Sequence, residues 1–166
     1  MPRGWNHVPD PTPDATHCPD CGAPLPGGLG ACRALFHELN AGQGGFYASS
    51  LRLGRIMSDA YTLQHLEPYC RTAKELTYHL ASLCCGLEYE GSPAVYKALQ
   101  KSIDGKFVGE RPTPPTHLGD LTVVHLSSAV DQEDYTRRIQ EWAESVWEAY
   151  SDLQDSARAW VKRALG

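Results

Sequence analysis

The chain has 166 residues, 42% of them apolar, and its fifteen basic and twenty acidic side chains leave a formal charge of −5. That is enough apolar chain for one sizeable core, while a pI near 5.8 excludes a general electrostatic grip on nucleic acid. No apolar run approaches the roughly 18 residues a membrane crossing needs. The first residues, with Pro2, Arg3 and Trp5, lack the apolar stretch of a secretory signal. The expectation is a cytoplasmic protein with neither nucleic acid nor membrane as partner. In a reducing compartment, its six cysteines favour metal ligation or free thiols over a disulfide framework.

Residues 1–30 are punctuated by Pro2, Pro9, Pro11, Pro13, Pro19, Pro24 and Pro26, and then by Gly27, Gly28 and Gly30, which excludes regular helix or central strand. Residues 1–15 read as a flexible tail, and residues 16–166 as a single helical metal-binding domain. From Ala31, Leu35, Phe36 and Leu39 make a helical stripe that Gly42 to Gly45 ends. A second helix is expected from Ser49 or Ser50, with Leu53, Ile56, Met57, Ala60, Tyr61 and Leu63 inward, stopping before Pro68. Thr72-Ala73-Lys74-Glu75 has the form of a capping box and predicts a third helix with Leu76, Leu80, Leu83, Cys84 and Leu87 inward. Ser92-Pro93 starts a fourth, through about Lys101.

Residues 104–120, with Pro112, Pro114 and Pro115, read as an extended crossing loop. Leu121 to Leu126 suits either a strand or a helical turn. From Asp131, the recurrence of Tyr135, Ile139, Trp142, Val146, Ala149, Leu153, Ala157 and Trp160 predicts a long C-terminal helix with a break near Ser151. The fold class is therefore mostly α: a single-domain helical bundle with an N-terminal zinc-knuckle segment and a long C-terminal helix.

Cys18-Pro19-Asp20-Cys21-Gly22 carries the chemistry. Two thiolates three positions apart bind one tetrahedral ion while the glycine relieves the turn behind the second sulfur, and thiolates suit Zn²⁺. A redox C-x-x-C of thioredoxin type would have to open a helix, whereas Pro24 and Pro26 follow here. The knuckle supplies two ligands, and Cys32 is the nearest further sulfur. His37 would complete a local set, but five residues along a helix turn through about 500°, placing it well round from Cys32. A histidine from another helix is preferred: His65, at the end of the second helix, ahead of His79, on the third. An antiparallel pairing of those helices would let both imidazoles face one groove. The expected metal set is Cys18, Cys21, Cys32 and His65 around Zn²⁺. His7, His17, His117 and His125 read as solvated, and Cys70, Cys84 and Cys85 as packing residues.

On these residues the chain resembles an uncharacterised bacterial family, the domain of unknown function DUF5946. The likeness spans about residues 17–165. It rests on C-P-D-C-G at Cys18 to Gly22, Cys32 with Phe36, S-D-A-Y-T-L-Q-H at Ser58 to His65, and Y-H-L-A-S-L-C at Tyr78 to Cys84 with Glu88. It continues in Pro114 and Pro115, in L-T-V from Leu121, and in E-W-A-E-S-V-W-E-A at Glu141 to Ala149. The family usually has proline directly after its Q-H pair, where this chain has Leu66, and it has no histidine at His37. The resemblance implies a compact helical protein and no activity.

Three functions compete at this point. One is a zinc-stabilised helical protein with a closed structural site. Another is a metal-dependent enzyme with an open site at His65 and His79, and with Asp59, Tyr61 or Glu88 as supporting or acid–base groups. The third is an interaction module, in which the knuckle or the tryptophan-bearing helix meets a protein partner or a second copy in a homodimer. No phosphate loop, nucleophile elbow or H-E-x-x-H motif supports a common enzyme class.

Overall fold

A computed structural model describes residues 14–166. Most of the expected tail, together with His7, lies outside that range; Ala15, inside it, accepts the Gly27 amide at 2.9 Å.

Helix α1 spans Gly28–Asn40, beginning ahead of the expected Ala31. Helix α2 covers Leu51–Gln64, with the Ser50 hydroxyl accepting from the Leu53 amide. It ends before Pro68, with His65 at its end as expected, because His65 leaves the helical region (φ −131, ψ 64); Leu66–Tyr69 then forms a separate one-turn helix, α3. Helix α4 is Ala73–Glu88, and both halves of its capping box form, between Thr72 and Glu75. Helix α5, Pro93–Lys106, is capped by Ser92 and runs past the expected end at Lys101. The ambiguous stretch resolves as a helical turn, α6, over Val124–Ser127, and the described residues contain no strand. Helix α7, Gln132–Ala149, is capped by Asp131. The break expected near Ser151 is a 3-10 turn, Ser151–Leu153, before α8, Gln154–Leu165.

Helix α2 is the axis of the bundle, packed on α4 along one side and α7 along another, while α5 and α8 close over α4. Gly86 lets α2 and α4 touch: a Cβ there would fall 2.2 Å from Ile56 Cγ2. No helix among the described residues is long and apolar enough to cross a membrane.

Two buried polar groups join the layers. Gln64 is fully buried, and its amide nitrogen donates to the Leu118 and Leu121 carbonyls at 3.0 and 2.8 Å. Its oxygen accepts from Trp142 Nε1 at 2.9 Å. One side chain thus ties the crossing loop and α7 to the end of α2. Near the surface, Glu88 accepts from Trp147 Nε1 at 3.1 Å and from two nitrogens of Arg158, each at 2.7 Å, fastening α8 to α4. The three helical tryptophans share no stripe. Trp142 is fully buried and Trp147 nearly so, while half-buried Trp160 stacks on Phe107 at 5.7 Å.

Replacing Gln64 with Leu leaves the Trp142 donor and two carbonyls without partners. Urea unfolding should show a loss of about 2–4 kcal/mol. The Arg158 hydrogen bond holds the Glu88 carboxyl below its ordinary 4.5. A carboxylate lowered on folding contributes stability above its unfolded pKa and loses it as pH falls through the folded value. Glu88→Gln should therefore cost about 1–2 kcal/mol at pH 7, and the gap from wild type should narrow by pH 3 in thermal melts.

Candidate metal centre

The knuckle is a tight turn closed by the backbone. Gly22 N–H donates to the Cys18 carbonyl and Cys18 N–H to the Ala23 carbonyl, both at 2.9 Å. Gly22 has φ +74, a left-handed value that a side chain would disfavour. The turn aims both sulfurs the same way.

The other two groups come from helices with matching spacing. Cys32 lies on α1 with Phe36 four residues after it; His65 closes α2 with Tyr61 four residues before it. Four residues is about one helical turn, so each helix presents a polar ligand group and, beside it, an aromatic ring. The rings stack: Phe36 on Tyr61 at 3.9 Å and 8°, and Tyr61 on the His65 imidazole at 4.0 Å and 25°. His65 Nδ1 lies 2.7 Å from the Tyr61 carbonyl oxygen. A carbonyl can only accept, so Nδ1 carries the proton and Nε2 turns to the sulfurs.

Nε2 is 3.5 Å from Cys18 Sγ and 3.4 Å from Cys32 Sγ, and Cys21 Sγ is 3.7 Å from Cys32 Sγ. All four ligand atoms lie within 4.8 Å of one another. Zinc bonds of about 2.3 Å to sulfur and 2.0–2.1 Å to nitrogen give tetrahedral edges of about 3.8 Å between sulfurs and 3.5 Å from sulfur to nitrogen. The three separations of 3.4, 3.5 and 3.7 Å match those edges. They are far from the ~2.05 Å of a disulfide, and the cysteines are free thiols. Cys18, Cys32 and His65 are at most 1% exposed, and Cys21 is partly open.

Without a cation the four groups divide protons among themselves. Hydrogen bonds from Cys21 and Cys32 hold Cys18 far below the ordinary thiol range, whereas Cys32, donating to Cys18 and Cys21 and buried besides, is held far above it. Burial pushes His65 down, but its hydrogen bonds to Cys18 and Cys21 outweigh this and hold it up at about 9. A thiolate next to an imidazolium in a largely buried cluster is the charge pattern that a cation would replace. Asp20 lies beside them with its carboxyl raised by burial and by the Cys18 charge; its Oδ2 is buried without a partner among the described residues.

The four cysteine and histidine residues expected from the sequence are thus brought together, and the alternatives are not. His37 is exposed on the far side of α1, accepting from Arg33 Nε at 3.4 Å. His79 does not share a groove with His65, because it faces Asp59 from the other flank of α2. Its Nδ1 is 2.8 Å from Asp59 Oδ1, while the Ser82 hydroxyl donates to Oδ2 at 2.6 Å. Leu66, directly after His65, leaves the imidazole facing the cysteines. Sequence reasoning did not anticipate Gln64 as the anchor beside His65, nor Ser82 as the second donor to Asp59. A glutamine at the end of a largely apolar helical run was the available signal for the first.

The model of a family of unknown function, DUF5946, matches residues 16–151, from just before the knuckle to the turn after α7. The chain belongs to that family. No curated protein and no solved structure matches it.

Since Asp59 is nearly buried and keeps only Ser82 when its other donor is removed, His79→Ala should cost about 1–3 kcal/mol in thermal or urea unfolding. Metal uptake by the separate cysteine–histidine cluster should not change, as measured by elemental analysis of the variant beside wild type.

Proposed function

We propose that this is a zinc-binding helical protein whose metal is structural, held by Cys18, Cys21, Cys32 and His65, with residues 16–166 as one metal-stabilised unit. The reading is carried by the four converging ligand atoms and by the Tyr61 carbonyl that fixes the free lone pair of His65 toward them. Three sulfurs and one nitrogen suit zinc by ligand softness and by tetrahedral geometry. Four protein ligands fill the coordination sphere, so no position is left for a reacting water, which is the mark of a structural site. An open site at His65 and His79 is not favoured, since His79 is hydrogen-bonded to Asp59.

The physical need is local. Residues 16–27 are rich in proline and glycine and contribute few apolar side chains to the core, chiefly Ala23 with Leu25 against its edge. Burial on that scale does not offset the entropy of ordering the segment, and metal bonds between it and two helices would.

Protein purified without added metal should carry about one zinc per chain by plasma mass spectrometry, and X-ray absorption should show three sulfurs and one nitrogen. Chelation should raise hydrogen exchange over residues 16–32 and leave α7 protected. Two or fewer sulfurs with a water ligand, or unchanged protection after complete removal of the metal, would overturn the structural assignment.

A further inference from the structure

The four groups of the cluster are not equally shielded. Cys18, Cys32 and His65 are sealed in the interior, and so are Cys70, Cys84 and Cys85, each at 0% exposure. Of the six cysteines, only Cys21 meets solvent. Its side lines an open pocket of about 430 Å³, walled by Asp20, Gly22 and Pro24 of the knuckle and by His117 and Asp120 of the crossing loop. The lining is largely polar and admits a small neutral oxidant. Behind Cys21, the Cys32 sulfur is 3.7 Å away.

We propose that Cys21 is an oxidation site, at which a hydroperoxide arriving through this pocket converts the Cys21–Cys32 pair to a disulfide and expels the bound metal. The inference rests on the zinc reading above. Three thiolates and one Zn²⁺ leave the site with a net charge of −1, so its sulfurs keep nucleophilic character. The Cys21 thiolate attacks one peroxide oxygen; the S–O bond forms as the O–O bond breaks, and the leaving hydroxide takes a proton to become water. The Cys32 thiolate then attacks the sulfenic sulfur, the S–S bond forms, and the second oxygen leaves as water with another proton. Two thiolates have lost two electrons, and one hydrogen peroxide with two protons has become two waters.

The geometry favours this pairing. Cys21 belongs to a turn and Cys32 to a helix, so the turn can supply the closure of about 1.7 Å that separates 3.7 Å from a disulfide bond of about 2.05 Å. After the reaction only Cys18 and His65 remain as ligands, too few to retain zinc against a chelator. The remaining cysteines act as internal controls. Burial pushes the thiols of Cys70, Cys84 and Cys85 up to about 12, keeping them protonated, and none of them lines the pocket.

The test uses the wild-type full chain with its zinc content measured beforehand. It is titrated with hydrogen peroxide in the presence of the chromogenic chelator 4-(2-pyridylazo)resorcinol, followed by non-reducing peptide mapping. The expected result is release of about one zinc per chain in step with a Cys21–Cys32 disulfide, with Cys70, Cys84 and Cys85 unmodified, and recovery on adding dithiothreitol and zinc. Zinc retained while other cysteines oxidise, or zinc released without that disulfide, would overturn the proposal. A chain found to hold no zinc at the outset would overturn the metal reading instead. In that case the disulfide map alone decides whether Cys21 is the oxidation site.

Discussion

The hydrogen bond from His65 Nδ1 to the Tyr61 carbonyl, 2.7 Å long, is where the helical bundle and the cysteine segment meet. It spans one turn at the end of α2, where the backbone carbonyls run out of helical amide partners, so it uses an acceptor the helix leaves free. It also fixes a ring that would otherwise rotate about two side-chain torsions. The same turn places Tyr61 against both His65 and Phe36, and Phe36 lies one turn from Cys32. Orientation of the nitrogen and attachment of α1 to α2 are therefore one arrangement, made of two helices that each pair a ligand group with an aromatic ring.

Gln64 explains why that turn stays in place. Its side chain is satisfied on three sides by Trp142, Leu118 and Leu121, which locks the last helical residue of α2 to α7 and to the crossing loop. The following residue is then free to leave helical geometry without the helix end fraying. Tyr150 adds to this by donating to the Leu63 carbonyl at 2.7 Å. The rigidity of the cluster is thus supplied by groups that never touch a sulfur, in the way that outer hydrogen bonds orient ligands at metal sites generally.

Much of this was legible in the sequence, and the rest was hidden for physical reasons. The meeting of Cys18 and Cys21 was legible because a C-x-x-C-G turn brings two sulfurs together, and the capping residues Thr72 and Ser92 marked helix starts because a short polar side chain meets a specific local need. His65 could be preferred to His37 by helical angle alone. His79 could not be separated from His65 so simply, since both lie on helices that do pack together. What divides them is which flank of α2 each faces, and that depends on Asp59 finding two donors on α4. The end of α5 was misjudged: it runs past Lys101 to Lys106 because it packs along α8, a tertiary contact that no local proline or propensity signals.

The two polar constellations on α2 also differ in what they ask of the protein. Around Asp59 the charge is already matched, by a histidine and a serine, so the network is complete as it stands and holds α2 to α4. Around His65, three sulfurs and a nitrogen lie within 4.8 Å of one another, and among the described residues the neighbouring Asp20 Oδ2 is buried without a partner. Proteins rarely leave several ionisable groups in such contact without a cation to reconcile them, because each thiolate raises the cost of the next. The cluster could therefore hold a metal ion, although its burial and its aromatic lid are those of a core.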